Sequence, residues 1–138
     1  MILLDTDILT HYFAGHPRVV QRAQAAAEVP ATTIISQIEM LRGRFDAILK
    51  AADAAQLKRA REQLARTEAS LARITIVPLD AAAEAEFDRL RQNKKLKKIG
   101  RGDLLIACIA LANRATLVTR NVRDFRQVPG LQVDNWAD

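Results

Sequence analysis

The chain opens Met1-Ile2-Leu3-Leu4-Asp5-Thr6-Asp7. An unbroken apolar run this short, ending abruptly in acid, is the pattern of a strand buried on both faces whose last residues emerge at a sheet edge. In open α/β sheets, ligands bind in the crevice outside the carboxyl ends of the strands. Asp5 therefore stands where a carboxylate would anchor a divalent cation. The decisive question is whether other carboxylates reach the same edge.

Downstream, β-prone runs alternate with helical patterns. Val29–Thr33, Ile74–Pro78 and Thr116–Thr119 are short strands, and Leu131–Val133 alternates as an edge strand before Trp136. Ile8–Phe13 begins a helix that Gly15-His16-Pro17 interrupts before Arg18–Glu28 resumes it. Met40 to Leu71 predicts two long helices, the second with a narrow Leu57, Leu64, Leu71 stripe, forming a hairpin that projects from the sheet or meets a partner. Asp80 precedes helix Ala81–Arg91 as an N-cap. Leu104–Ala112 is apolar throughout, which predicts a helix buried nearly all round with Cys108 as a small buried hydrophobe. The order predicts a three-layer α/β/α fold with a mostly parallel central sheet, one domain over residues 1–138.

Four acids fall at junctions in that order: Asp5 after the first strand, Glu39 after the second, Asp103 at the mouth of the buried helix, and Asp124 after the fourth. Each has a structural alternative. Ser36 and Glu39 have the S-x-x-E spacing of a capping box, and Asn121 and Asp124 have the spacing of a cap and its third residue. Asp103 sits where a helix dipole favours negative charge by a few tenths to about 1 kcal/mol. Yet an ionisable group at the mouth of the most buried helix needs partners, and a cation supplies them. His11 and His16 lie five apart across the helix break, do not share a face, and are assigned to the surface with no metal role.

Lys and Arg number 21 against 16 Asp and Glu, a formal net charge of +5. A basic exterior around an acidic pocket points to a polyanion, nucleic acid first. The cations concentrate in Arg89, Arg91, Lys94, Lys95, Lys97, Lys98 and Arg101, opposed only by Asp88. No aromatic residue is interleaved among them, so phosphate contact is expected rather than base stacking, salt-sensitive and without base preference. A lone cysteine excludes a disulfide framework. No apolar run nears the roughly eighteen residues of a membrane span, and no basic region precedes the apolar start, so the expectation is a soluble protein of the cytoplasm.

Taken in order, Leu4-Asp5-Thr6-Asp7-Ile8-Leu9, Ile38-Glu39-Met40-Leu41-Arg42-Gly43, Ile99-Gly100-Arg101-Gly102-Asp103-Leu104-Leu105-Ile106-Ala107, Leu117-Val118-Thr119-Arg120-Asn121-Val122-Arg123-Asp124-Phe125 and the closing Leu131–Trp136 resemble PIN-domain ribonucleases, most closely the VapC-type toxins of toxin–antitoxin pairs. The resemblance implies a Mg²⁺- or Mn²⁺-dependent endoribonuclease. Asp5, Glu39 and Asp103 match the family's three central acids and Asp124 its fourth, more variable one. Asp5 and Asp103 are expected as direct metal ligands, with Glu39 and Asp124 acting directly or through water. Asn121 and Thr6 or Thr119 would be supporting polar groups. It further implies RNA as substrate, with Arg42, Lys94, Lys95, Lys97, Lys98 and Arg101 as candidate contacts. A co-encoded antitoxin that blocks the acidic groove, and a homodimer, are the implied protein partners. The family usually has Asn where this chain has Asp7, which is expected to cap the first helix or, as the alternative, to add a fifth carboxylate that alters metal affinity. The segment from Arg42 through Leu71 is longer than in compact members.

Two other classes compete for the same residues. Asp5-Thr6-Asp7 after an apolar strand also resembles the aspartyl-phosphatase loop of the haloacid dehalogenase group, but Leu9 stands where that loop wants Thr or Val. A catalytically silent PIN-like module that binds RNA or a partner would have no need of all four acids.

Overall fold

The computed structural model describes residues 1–138. Five short strands, β1 (Ile2–Leu4), β2 (Ala31–Thr33), β3 (Ile76–Val77), β4 (Thr116–Val118) and β5 (Gln132–Asp134), form one sheet in the order β3-β2-β1-β4-β5. Every pairing is parallel. The helices are α1 (Thr6–Phe13), α2 (Pro17–Ala25), α3 (Ile34–Leu49), α4 (Ala54–Leu71), α5 (Ala81–Leu90), α6 (Arg101–Ala112) and α7 (Val122–Phe125).

The two-residue period of the central strands builds the layers. In register, Leu3 faces Leu117 and Leu4 faces Val118. Leu3 and Leu117 point into a core with Ala83 and Leu90 of α5, Ile106 to Ala110 of α6, Phe125 and Val128. Leu4 and Val118 point the other way, onto Ile8 and Leu9 of α1, Val19 of α2, Met40 of α3, Leu71 of α4, and Trp136. Each such aliphatic side chain, taken fully out of water, contributes roughly 1.5–3 kcal/mol. The first strand is apolar at successive positions because helices cover both faces.

Several boundaries differ from the sequence expectation, each for a local reason. Val29 is exposed and lies outside β2, because Pro30 follows it and has no N–H to give a ladder. Helix α2 starts at Pro17, with the His16 ring as its cap, and His11 and His16 meet edge-to-face across the break with ring centroids 5.0 Å apart. Asp80 caps α5 as expected, accepting from the Ala83 amide. The Leu57–Leu64–Leu71 stripe of α4 is fully covered only at Leu71, so the amino-terminal half of the helix stands clear of the core. Cys108, on α6, is fully buried, and desolvation pushes its thiol up to about 11. No helix is long and apolar enough to cross a membrane.

Candidate active site

From β1 the chain moves to one side through β2 and β3, then returns to the other side of β1 to lay down β4 and β5. The strand order therefore switches between β1 and β4, and the ligand crevice of an open α/β sheet falls there, outside their carboxyl ends. Asp5, the residue directly after β1, stands at that edge. Its amide donates to the Val118 carbonyl (3.0 Å), its Oδ1 accepts from the Ile8 amide (2.9 Å), and its carbonyl accepts from the Leu9 amide (2.8 Å). Asp5 is thus the N-cap of α1 and is only 7% exposed. Asp7, expected in that role, is instead an exposed first-turn residue beside His11 (3.8 Å) and Arg120 (4.0 Å).

Burial, helped by the charges of Asp7 and Asp103, pushes the Asp5 carboxyl up to about 6 against the pull of the Thr119 hydroxyl and the Ile8 amide. Thr119 is fully buried and its Oγ1 accepts from the Asn121 amide (2.9 Å), which leaves its proton for Asp5.

Asp103 is the third residue of α6, whose cap, Gly100, offers no side chain. Its carboxyl is held above the usual range by desolvation first, and then by the negative charges of Glu39 and Asp124. The acids that were separate in sequence therefore sense one another in space.

Glu39 overturns the capping-box expectation. The cap of α3 is Thr33, whose Oγ1 accepts from the Ser36 amide (3.1 Å), so the helix begins two residues before Ser36 and carries Glu39 past its first turn. There Glu39 Oε1 accepts from the Thr6 hydroxyl at 2.6 Å. The Thr6 hydroxyl also lies 3.0 Å from that of the fully buried Ser36, which lies 3.4 Å from that of Thr33. A hydroxyl has one proton, so with Glu39 ionised the chain runs Thr33 to Ser36 to Thr6 to the carboxylate. Glu39 Oε2 also abuts Gly102, where an added Cβ would lie 3.0 Å away. Ser36 and Gly102 are site components that the sequence did not single out.

Asn121 stands at the cap position of α7 but makes no capping bond; its Nδ2 donates to Asp124 Oδ2 (3.1 Å). The exposed Lys94, Lys95, Lys97 and Lys98 lie in the 3₁₀ turn Lys94–Leu96 and the loop just after it, anchored by buried Leu96 and Ile99. None is in an ion pair, whereas Arg89 is matched by Glu86 and Arg91 by Asp88. The run is thus less uniformly free than its sequence suggested. Arg101 lies over the Phe87 ring at 5.0 Å, and Arg42 is exposed on α3.

Asp5, Glu39, Asp103 and Asp124 all lack a Lys or Arg partner, in a chain of net positive charge. Clustered carboxylates with no counter-charge, Asp5 and Asp103 among them with raised proton affinity, are suited to a hard cation with oxygen ligands. No three His, Cys, Asp or Glu side chains close into a ready ligand shell.

A three-layer α/β/α domain with an acidic crevice at its switch point defines the class. A family model of the PIN domain matches residues 2–131, a span that contains all four acids. The chain belongs to the PIN-domain family. Ribonuclease VapC2 of Rickettsia felis is 28% identical over 136 residues, which is 97% of this chain and 96% of that one. The crystal structure of VapBC2 from Rickettsia felis bound to a DNA fragment from their promoter has a TM-score of 0.77 at 28% identity and covers 99% of both chains. A toxin–antitoxin complex from Klebsiella pneumoniae matches with a TM-score of 0.61 at 26% identity, over 95% of each chain.

Proposed function

We propose that this chain is a divalent-metal-dependent endoribonuclease that hydrolyses RNA phosphodiester bonds and serves as the toxin of a toxin–antitoxin pair. The observation that carries the proposal is the convergence of Asp5, Glu39, Asp103 and Asp124 on one crevice with no cationic partner among them. Family membership and similarity to a protein named as a ribonuclease support it.

Asp5 and Asp103, the two acids with raised proton affinity, would hold Mg²⁺ or Mn²⁺ directly. Glu39 and Asp124 would contribute directly or through water. Bound there, the ion would supply Lewis-acid chemistry, acidifying water and offsetting charge on the phosphoryl oxygens. Thr6 holds Glu39 in orientation and Asn121 holds Asp124. Glu39, an acceptor from Thr6 on Oε1, keeps Oε2 to orient the attacking water. Lys94, Lys95, Lys97, Lys98, Arg101 and Arg42 would meet the RNA backbone as cations on the approach to Asp103.

The proposal includes two protein partners: an antitoxin and a second copy of the chain. Similarity to a toxin–antitoxin complex supports the first. The second is supported by Ile38 (46% exposed), Phe45 (55%) and Leu49 (66%), seven and four residues apart on one face of α3 with no covering element.

The test is cleavage of labelled single-stranded and tRNA-like RNAs with Mg²⁺ or Mn²⁺, wild type beside Asp5→Asn, with EDTA controls. Cleavage lost in both the variant and the chelated sample is the expected result. A folded wild type that binds neither Mn²⁺ nor Mg²⁺ by calorimetry and cuts nothing would instead make the chain a silent PIN-like module.

A further inference from the structure

One turn beyond the acidic crevice, helices α1, α3 and α4 enclose a cleft of about 370 Å³. Thr10 follows Thr6 by one turn of α1, and Met40 directly follows Glu39 on α3, so the cleft adjoins the carboxylates. At about 1.5 Å per residue, Arg44 lies on the order of 7 Å along α3 from Glu39, within one or two nucleotide steps.

Arg44 and Arg66 line this cleft, and neither is in an ion pair. Arg44 donates its Nε to the Thr67 hydroxyl (2.9 Å), which fixes the guanidinium and leaves its terminal fork free. Arg66 donates one terminal nitrogen to Gln63 Oε1 (2.8 Å) and keeps its remaining donors. Thr10 and Ser70 line the same space, the Thr10 hydroxyl donating to the Thr6 carbonyl (2.9 Å), and Phe13 and Met40 give it an apolar wall.

We propose that this cleft is a substrate subsite that takes an RNA phosphate between Arg44 and Arg66, with the adjoining nucleoside against Phe13 and Met40. Two unpaired guanidiniums match phosphate oxygens in fork geometry, and the Ser70 hydroxyl supplies a further donor beyond the need of a two-oxygen carboxylate. The inference rests on the endoribonuclease proposal, and it would set which nucleotide beside the cut is gripped.

Met40 is one of only two methionines, the other being Met1, so methyl-labelled Met gives a reporter in the cleft and an internal control at the terminus. Titration with adenosine 5′-monophosphate is expected to move the Met40 signal in wild type and in Asp5→Asn, and to leave it still in Arg44→Gln/Arg66→Gln. In RNA cleavage the double variant is expected to raise KM about tenfold, with kcat little changed. It should also lower the salt dependence of RNA binding by about 0.7 in log–log slope for each phosphate that is no longer neutralised. Circular dichroism checks folding; if the double variant fails to fold, the single Arg66→Gln, on an exposed residue, carries the same test. A Met40 signal indifferent to nucleotide, or unchanged KM and salt slope in a folded variant, would overturn the subsite. Movement of Met40 by poly-glutamate but not by nucleotide would overturn it in favour of a protein ligand. Should folded wild type bind no metal and cut no RNA, the nuclease proposal fails, and the monophosphate titration still decides the cleft.

Discussion

Asp5 carries two duties that pull against each other. As the α1 cap it accepts the Ile8 amide, and as a buried acid beside Asp7 and Asp103 it resists ionisation. Its carboxyl rises from 3.8 to about 6 on folding, so the folded chain binds its proton more tightly than the unfolded chain. The stability this provides is complete below about pH 4 and is lost as pH rises through about 6, at a cost of about 3 kcal/mol by neutrality in the metal-free protein. Asn caps as well as Asp. Asp5→Asn is therefore expected to raise the melting temperature in EDTA by several degrees at pH 7.5, to leave it unchanged at pH 4, and to abolish cleavage; calorimetry at the two pH values is the check. Thr6 has a separate role, since its hydroxyl is the 2.6 Å donor to Glu39. Thr6→Val is expected to cut activity about 10- to 100-fold, as loss of a ligand-orienting bond does, with Thr6→Ser restoring it and calorimetry showing little change in stability.

The start of α6 is built to admit a neighbour. Gly102 leaves room for the Glu39 carboxylate where a methyl group would come within 3.0 Å of it. Alanine in a helix is favoured over glycine by about 0.5–1 kcal/mol, and a carboxylate at the end of a flexible side chain can move aside. Gly102→Ala is thus expected to hold or raise the melting temperature while lowering cleavage and weakening Mn²⁺ binding, measured side by side. Contacts of this kind were not legible in the sequence, because Gly102 and Glu39 meet only through the fold. The strands and the junction positions of the four acids were legible, since short apolar runs closed by acid constrain where a chain can emerge. Glu39 was placed at the right edge with the wrong alternative beside it. Ser36-x-x-Glu39 matches a capping box, but Thr33, three residues earlier, outcompetes Ser36 for the cap. Asp7 was displaced likewise by Asp5, because the first strand ends at Leu4, two residues sooner than a cap at Asp7 requires.

At the scale of the whole molecule, charge is divided between a carboxylate crevice and a basic loop leading to it. Two of the cations in that stretch are neutralised by neighbours on α5, and the four lysines are not. Replacing Lys94, Lys95, Lys97 and Lys98 by Gln is expected to weaken RNA binding evenly across sequences and to flatten its salt dependence by about 0.7 for each phosphate released, read by titration at several salt concentrations. The layer between the sheet and helices α5 and α6 closes over a single thiol. Cys108 is fully enclosed and pushed up to about 11, so a thiol reagent meets it only when the chain opens. Its rate of modification is a clock for opening, with no second cysteine to blur the reading. Any ion that binds the closed crevice slows that clock by mass action. Labelling followed by mass spectrometry across a Mg²⁺ series would then count occupancy of the acids with no RNA in the tube.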